Sequence, residues 1–171
     1  MRADRGPLRV MGIDPGLTRL GFGVIQEAGG RLELLDCGTL QTSAADDAPR
    51  RLLTLFDGLK GLTSRWQPEV VAMERLFLKL NARTGVPAIQ ASGVALLAAA
   101  HSGVPVREYA PAEVKMAVVG HGNATKNQIR YMVERILGAG RVPDSPDAAD
   151  GLAVAITHLS CRRMARLEVV R

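Results

Sequence analysis

One change of rhythm constrains this chain more than any other feature. Up to about residue 41 its apolar residues come in short runs broken by turn signals. From Arg50 onward they fall at steps of three and four. Leu8–Ile13 is a compact apolar run that ends at Asp14-Pro15-Gly16, and Gly21–Ile25 is a second. Gly29-Gly30 is a tight-turn signal leading into Leu32–Leu35, a strand that can continue to Leu40. Leu52, Leu55, Phe56, Leu59, Leu62 and Trp66 then line one face of a helix, and Pro68 closes it. A chain that opens with three consecutive strands and then switches to helical spacing cannot be an all-helical bundle or an all-β sandwich.

The alternation continues. Val70–Met73 predicts a buried strand ending at Glu74, and Gly85–Ser102 predicts a largely buried helix rich in Ala, Val and Leu. Val104–Tyr109 predicts a strand, with Pro105 suiting its start or an edge. Pro111 opens a short helix at its first position. Gly120–Asn123 is a loop. Thr125 with Gln128 three residues on forms a capping-box pattern ahead of the stripe Ile129, Met132, Val133, Ile136 and Leu137. Gly138 and Gly140 end that helix, and Ser145-Pro146 starts a last one running to about Arg163. The expected fold class is α/β: a mixed five-stranded sheet flanked by helices. No internal repeat or composition break divides the 171 residues, which predicts a single domain over 1–171 with 1–7 and about 164–171 as flexible ends.

Composition excludes several classes. Hydrophobic residues make up 47% and charged residues 23%, a globular balance. Cys37 and Cys161 are too few and too isolated for a zinc site or a disulfide scaffold. The N-terminus has arginines but no apolar stretch of the signal-peptide kind, and the longest apolar run, Val94–Ala100, is too short to span a bilayer. A soluble protein of a reducing compartment, the cytoplasm, is expected. The net charge of +5 is ordinary for this size and suits a phosphate-bearing partner. With six aromatic residues, the interleaving of aromatic and basic residues typical of many nucleic-acid binders is absent.

Four carboxylates stand at places where α/β sheets build sites. Asp14 and Glu74 end apolar strands, and Asp147 and Asp150 lie three apart at the start of the last helix. Gathered together they would repel one another unless a hard cation joined them, and magnesium or manganese suits oxygen-only donors. Two such ions can activate water and stabilise a leaving oxygen at a phosphodiester. Each residue also has a plain reading: Asp14-Pro-Gly as a turn, Glu74 as a surface end, Asp147 and Asp150 as partners of a helix dipole. Asp144 fits that last role.

At this point the motifs become specific. Gly12-Ile-Asp-Pro-Gly16 with Gly21-Phe-Gly-Val-Ile25, then Glu74-Arg-Leu-Phe77, then Val118-Val-Gly-His-Gly122, then Asp147-Ala-Ala-Asp150 running on to His158 resemble the bacterial RuvC Holliday-junction resolvases. The resemblance spans Val10 to His158. It implies an RNase H-like fold, a homodimer and metal-dependent cutting of four-way DNA junctions by paired symmetric nicks that leave 5′-phosphate and 3′-hydroxyl ends. It implies Asp14, Glu74, Asp147 and Asp150 as the catalytic and metal-binding set, holding Mg2+, with Mn2+ able to substitute, two ions per site. It further implies DNA contacts by Phe77, Lys79, Asn81, Arg83, Lys115 and Lys126, and the branch-migration proteins RuvA and RuvB as partners. Phe77 could stack on an unpaired base or anchor its own loop. Lys115 and Lys126 could face phosphate or solvent. His121 could touch phosphate, and His158 reads as packing. The small residues of Gly85–Ala100 suit core packing and, by resemblance, a dimer face.

Other classes remain open on the residues. An RNase H-like nuclease with another substrate would lack use for the basic loop at Phe77 to Arg83. A sugar-kinase or actin-like phosphotransferase shares a turn similar to Gly12–Gly16 but needs two such domains. A non-catalytic binding module would not need the acidic set.

Overall fold

The computed structural model describes residues 6–76, 82–138, 140, 142 and 145–168, with the side chains of 82–84 and 166–168 excepted. In chain order its elements are β1 (Leu8–Asp14), β2 (Arg19–Ala28), β3 (Arg31–Gln41), α1 (Ala48–Trp66), β4 (Val70–Glu74), α2 (Ala82–His101), β5 (Val106–Tyr109), α3 (Pro111–Val119), α4 (Lys126–Leu137) and α5 (Pro146–Glu168). The strands form one mixed sheet in the order β3-β2-β1-β4-β5. The β1–β2 and β2–β3 pairs are antiparallel, and β4 and β5 add in parallel.

Strand alternation explains the two cores. Val10, Ile25, Val70 and Ala72 point to one side and pack with α3, α4 and α5. Met11, Ile13, Phe22, Val24, Val71 and Met73 point to the other and pack with α1 and α2. Because side chains alternate with period two, Asp14 and Glu74 continue the Val10 and Val70 rows and face α5. The pairing Ile13↔Met73 puts the two carboxylates on neighbouring strands at one end of the sheet.

α5 is buried on nearly every side: Leu152, Ala153, Val154, Ala155, Ile156 and Leu159 are all covered. Each of its large aliphatic side chains contributes about 1.5–3 kcal/mol by burial. The helix lies unusually close to the sheet. A Cβ on Gly12 would run into the Gly151 carbonyl oxygen and the Ala155 amide nitrogen, and one on Gly21 into the Asp147 carbonyl. The strand glycines Gly12 and Gly21 are therefore the surface on which α5 rests.

Most boundaries follow the sequence expectation, and the departures have local causes. β2 and β3 are longer than their apolar cores because the Gly29-Gly30 turn, with both φ positive, zips the hairpin outward. A bulge between Val24 and Ile25 shifts the register. α1 starts at Ala48 because the Asp47 carboxylate accepts from the Arg50 amide at 3.0 Å. α2 begins at Ala82 and carries Pro87 within it, and β5 begins after Pro105. α5 runs to Glu168, past the expected end near Arg163. There the Arg163 guanidinium donates to Glu27 (2.8 Å) and to the Gly30 carbonyl (3.0 Å), tying the last turns to the hairpin. Cys37 and Cys161 are both free, and no helix among the described residues is long and apolar enough to cross a membrane.

Candidate functional site

The elements converge at the C-terminal ends of β1 and β4. Asp14, Glu74 and Asp150 line one cleft of about 300 Å³ together with Lys115, Thr125 and Lys126. Asp14 and Glu74 come from adjacent strands, Asp150 from the first turns of α5, Lys115 from α3 and Lys126 from the first residue of α4. The predicted capping box of α4 is present. Thr125 Oγ1 accepts from the Gln128 amide, and Gln128 Oε1 accepts from the Thr125 amide at 2.8 Å. That cap fixes the helix start, and with it Lys126, at the cleft wall.

Asp147 stands one turn earlier and does not line the cleft. Its Oδ2 accepts from Arg19 Nε at 2.6 Å and lies 3.5 Å from Thr39 Oγ1. Neither partner was expected to bear on the site. Their signal is the hairpin register: Gly21 pairs with both Asp14 and Thr39, so Arg19, two residues before it, shares the face under α5. Asp150 is held by Lys126, whose Nζ lies 3.1 Å from Asp150 Oδ2. Phe77, Lys79 and Asn81 lie outside the described residues, as does Asp144. Arg83 falls in the first turn of α2, its side chain among those not described. His121 is exposed in the loop between α3 and α4. His158 packs as expected, its Nδ1 2.7 Å from Tyr109 Oη, and burial pulls its pKa down.

The electrostatics of the cleft are those of crowded anions. Burial, then Asp150 and Glu74, push the Asp14 carboxyl up from 3.8 to about 7, against the opposing pull of Lys126. Burial and Asp150 raise Glu74 as well, while Lys126 and Lys115 lower it. Asp150 in turn raises Lys126. Asp14 and Glu74 share this half-buried space with Asp150, whose charge adds to the cost of ionising both.

Such an oxygen-only donor set, in which burial and neighbouring carboxylates raise Asp14 and Glu74, fits a hard divalent cation. As they stand, the four carboxylates are not a closed cage. Among the described residues no three His, Cys, Asp or Glu side chains form a ready ligand group. The reason is visible in the pairings, since Arg19 draws Asp147 aside and Lys126 draws Asp150. The chemistry open to this arrangement is binding of a phosphodiester between cation-bearing carboxylates and the flanking lysines.

The model of the family described as crossover junction endodeoxyribonuclease RuvC matches residues 10–158. A crossover junction endodeoxyribonuclease RuvC from Chloroflexus aggregans is 48% identical over 151 residues, covering 88% of this chain and 92% of its own length. The structure of Thermus thermophilus RuvC in complex with Holliday junction substrate matches with a TM-score of 0.86 and 37% identity, over 92% of this chain and 96% of that one. The structure of Thermus thermophilus RuvC by itself matches at 0.83 and 36%, over 92% and 97%. The sheet order and flanking helices are those of the RNase H-like class expected from the sequence.

Proposed function

Since the chain belongs to the RuvC family of crossover junction endodeoxyribonucleases, we propose that it resolves four-way Holliday junctions in recombination and repair. It is an endonuclease that hydrolyses DNA phosphodiesters, and a divalent metal ion is its cofactor. It makes paired symmetric nicks and leaves 5′-phosphate and 3′-hydroxyl ends. The observation that carries this reading is the single cleft lined by Asp14, Glu74 and Asp150 with Lys115 and Lys126.

We assign Asp14, Glu74, Asp147 and Asp150 as the residues that hold the cation, Mg2+ with Mn2+ as a substitute, two ions per site. When bound, the ions supply activation of the attacking water and stabilisation of the departing 3′ oxygen. The side chains do the rest. Lys115 and Lys126 meet the non-bridging oxygens of the scissile phosphate and offset its charge beside the carboxylates. Arg19 and Thr39 orient Asp147 through the contacts described above. The Pro111 and Val114 side of the cleft limits access of bulk water to the acids. Phe77, Lys79, Asn81 and Arg83 engage the strands around the junction centre, Phe77 by stacking.

The described residues form one such site, which we read as that of a single nuclease domain, so two nicks call for two copies. The exposed apolar residues Val86, Ile89, Leu96 and Leu97 along α2 support a homodimer through that helix. RuvA and RuvB are the branch-migration partners on this reading, and the cytoplasm is its compartment. The test is incubation with a synthetic four-way junction and magnesium beside a linear duplex of the same sequence. Symmetric, religatable nicks on the junction are the expected result. Equal cutting of the duplex would overturn the junction reading in favour of an RNase H-like nuclease of another specificity.

A further inference from the structure

Arg51 carries a positive charge that no carboxylate among the described residues answers. Its Nε donates to Thr42 Oγ1 at 2.9 Å and its Nη2 to Thr18 Oγ1 at 2.7 Å. Both partners are neutral. A guanidinium has five N–H donors, so two are used here and three are left. The Thr42 hydroxyl is itself fixed, and the backbones of the two threonines are tied together. Thr42 Oγ1 donates to the Leu17 carbonyl at 2.6 Å, and the Thr42 amide donates to the Thr18 carbonyl at 3.1 Å. By contrast Arg19 and Arg163 each hold a carboxylate. Asp47, close by in sequence, is occupied in capping α1.

The placement runs against the helix. α1 has no acidic residue in its first turn and opens with Arg50 and Arg51, at the end where its dipole is already positive. The Asp47 carboxylate at the cap offsets part of that positive charge, and a bound anion would offset more. The location is specific. Thr18 lies four residues past Asp14 in the β1–β2 loop, so chain geometry keeps it within about 14 Å of Asp14. Thr42 directly follows β3, whose last residue pairs with Arg19 at the same end of the sheet at which Asp14 and Glu74 stand. Lys115 and Lys126 stand on helices packed against one face of the sheet, whereas Arg51 stands on α1, packed against the other.

We propose that Arg51, held by Thr18 and Thr42, binds a backbone phosphate of the DNA a few nucleotides from the cut. It is a second anchor across the carboxylates from Lys115 and Lys126. The proposal rests on the nucleic-acid reading of the same site. Two anchors on opposite flanks would fix the direction of the strand through the cleft, which one anchor cannot do. Three remaining donors in a planar fork suit a phosphate group.

The experiment is binding of a fluorescent four-way junction, in chelator so that nothing is cut, across a salt series. The proteins are the parent, Arg51→Gln and Arg51→Lys. Arg51 continues the row of Leu55, Leu59 and Thr63 one turn toward the helix start but is only half-buried, so thermal unfolding followed in parallel checks that Arg51→Gln folds. Losing one phosphate contact should lower the slope of log affinity against log salt by about 0.9, and should weaken binding about eightfold near 0.1 M salt. Arg51→Lys should keep the parent slope, because the charge remains. An unchanged slope in Arg51→Gln, with or without a lower melting temperature, makes Arg51 a loop clip and overturns the proposal. A slope lost equally in Arg51→Lys overturns it too. A linear duplex separates this from the function itself. A parent that does not prefer the junction refutes the junction reading, while the Arg51→Gln difference on duplex still decides the anchor.

Discussion

The backbone carbonyl of Asp147 occupies the space that a Cβ on Gly21 would need. α5 therefore rests on the bare backbone of β2, and this contact sets the depth at which Asp147 and Asp150 reach the sheet end. Helix backbone cannot retreat as a flexible side chain does. Gly21→Ala should consequently cost about 2–4 kcal/mol, at the upper end of overpacking. At roughly 2–4 °C per kcal/mol for a domain of this size, the melting temperature should drop by about 5–15 °C. Junction cutting measured well below that temperature should fall more than junction binding, because the carboxylates move while the lysines do not.

Asp14 is a liability to the fold when no cation is present. Asp14→Asn should bind a four-way junction and fail to cut it, read on a denaturing gel. It should also melt higher than the parent in chelator at neutral pH and above. The displacement of the Asp14 pKa corresponds to at most about 4 kcal/mol. Water at the cleft mouth reduces this to the order of 1–2 kcal/mol, or roughly 5 °C. Cutting equal to the parent's would remove Asp14 from the catalytic set.

The sign of the pH dependence follows from the same group. The folded protein keeps a proton on Asp14 up to about pH 7, whereas the unfolded chain releases it near 3.8. Across that window the folded state binds more protons, so its stability in chelator should fall as pH rises. Glu74 is shifted the same way and adds to the slope. Magnesium should flatten the profile by favouring the ionised acids and should raise the melting temperature at pH 7 and above. Calorimetry with and without magnesium measures both. A profile that is flat in chelator would contradict the crowding.

Lys126 lowers the pKa of both Asp14 and Glu74. Lys126→Met should therefore move the midpoint of the cutting rate against pH upward at a fixed, limiting magnesium concentration. The Lys126 side chain is 83% exposed, so the melting temperature should barely change. Junction binding should lose about 0.9 from its salt slope. A lower rate with an unmoved pH midpoint would mean that Lys126 only contacts DNA.

Leu97, 60% exposed on α2, lies on an apolar face with Val86, Ile89 and Leu96. Leu97→Glu should shift sedimentation from dimer to monomer with little change in the melting temperature extrapolated to low concentration. On a cruciform plasmid the variant should release nicked circles in place of linear product, since the two nicks lose their coupling. A parent that sediments as a monomer would refute the dimer at once.

Much of this protein could be read from local pattern. Short apolar runs ended by turn signals identify the strands, three-and-four spacing identifies α1 and α4, and Thr125 with Gln128 marks the start of α4. The alternation that buries Val10 and Val70 on one face also aims Asp14 and Glu74 at that face, so their meeting is encoded within seven and five residues of strand. The spacing of Asp147 and Asp150 similarly puts both near one face of a helix.

What tertiary structure alone decided lies in pairings that no local period encodes. The Arg19–Asp147 contact joins residues 128 apart in sequence, and Lys126–Asp150 joins residues 24 apart. Each depends on how closely α5 approaches the sheet and on the hairpin register. The same holds for Arg51, an ordinary helix arginine until Thr18 and Thr42 converge on it. Sequence periodicity reports which face a residue takes, because burial is a property of the element. Partners across elements are chosen by packing depth and register. Here both follow from glycines that let backbone meet backbone, so Asp14, Glu74 and Asp150 share a cleft while Asp147 pairs with Arg19 beside it.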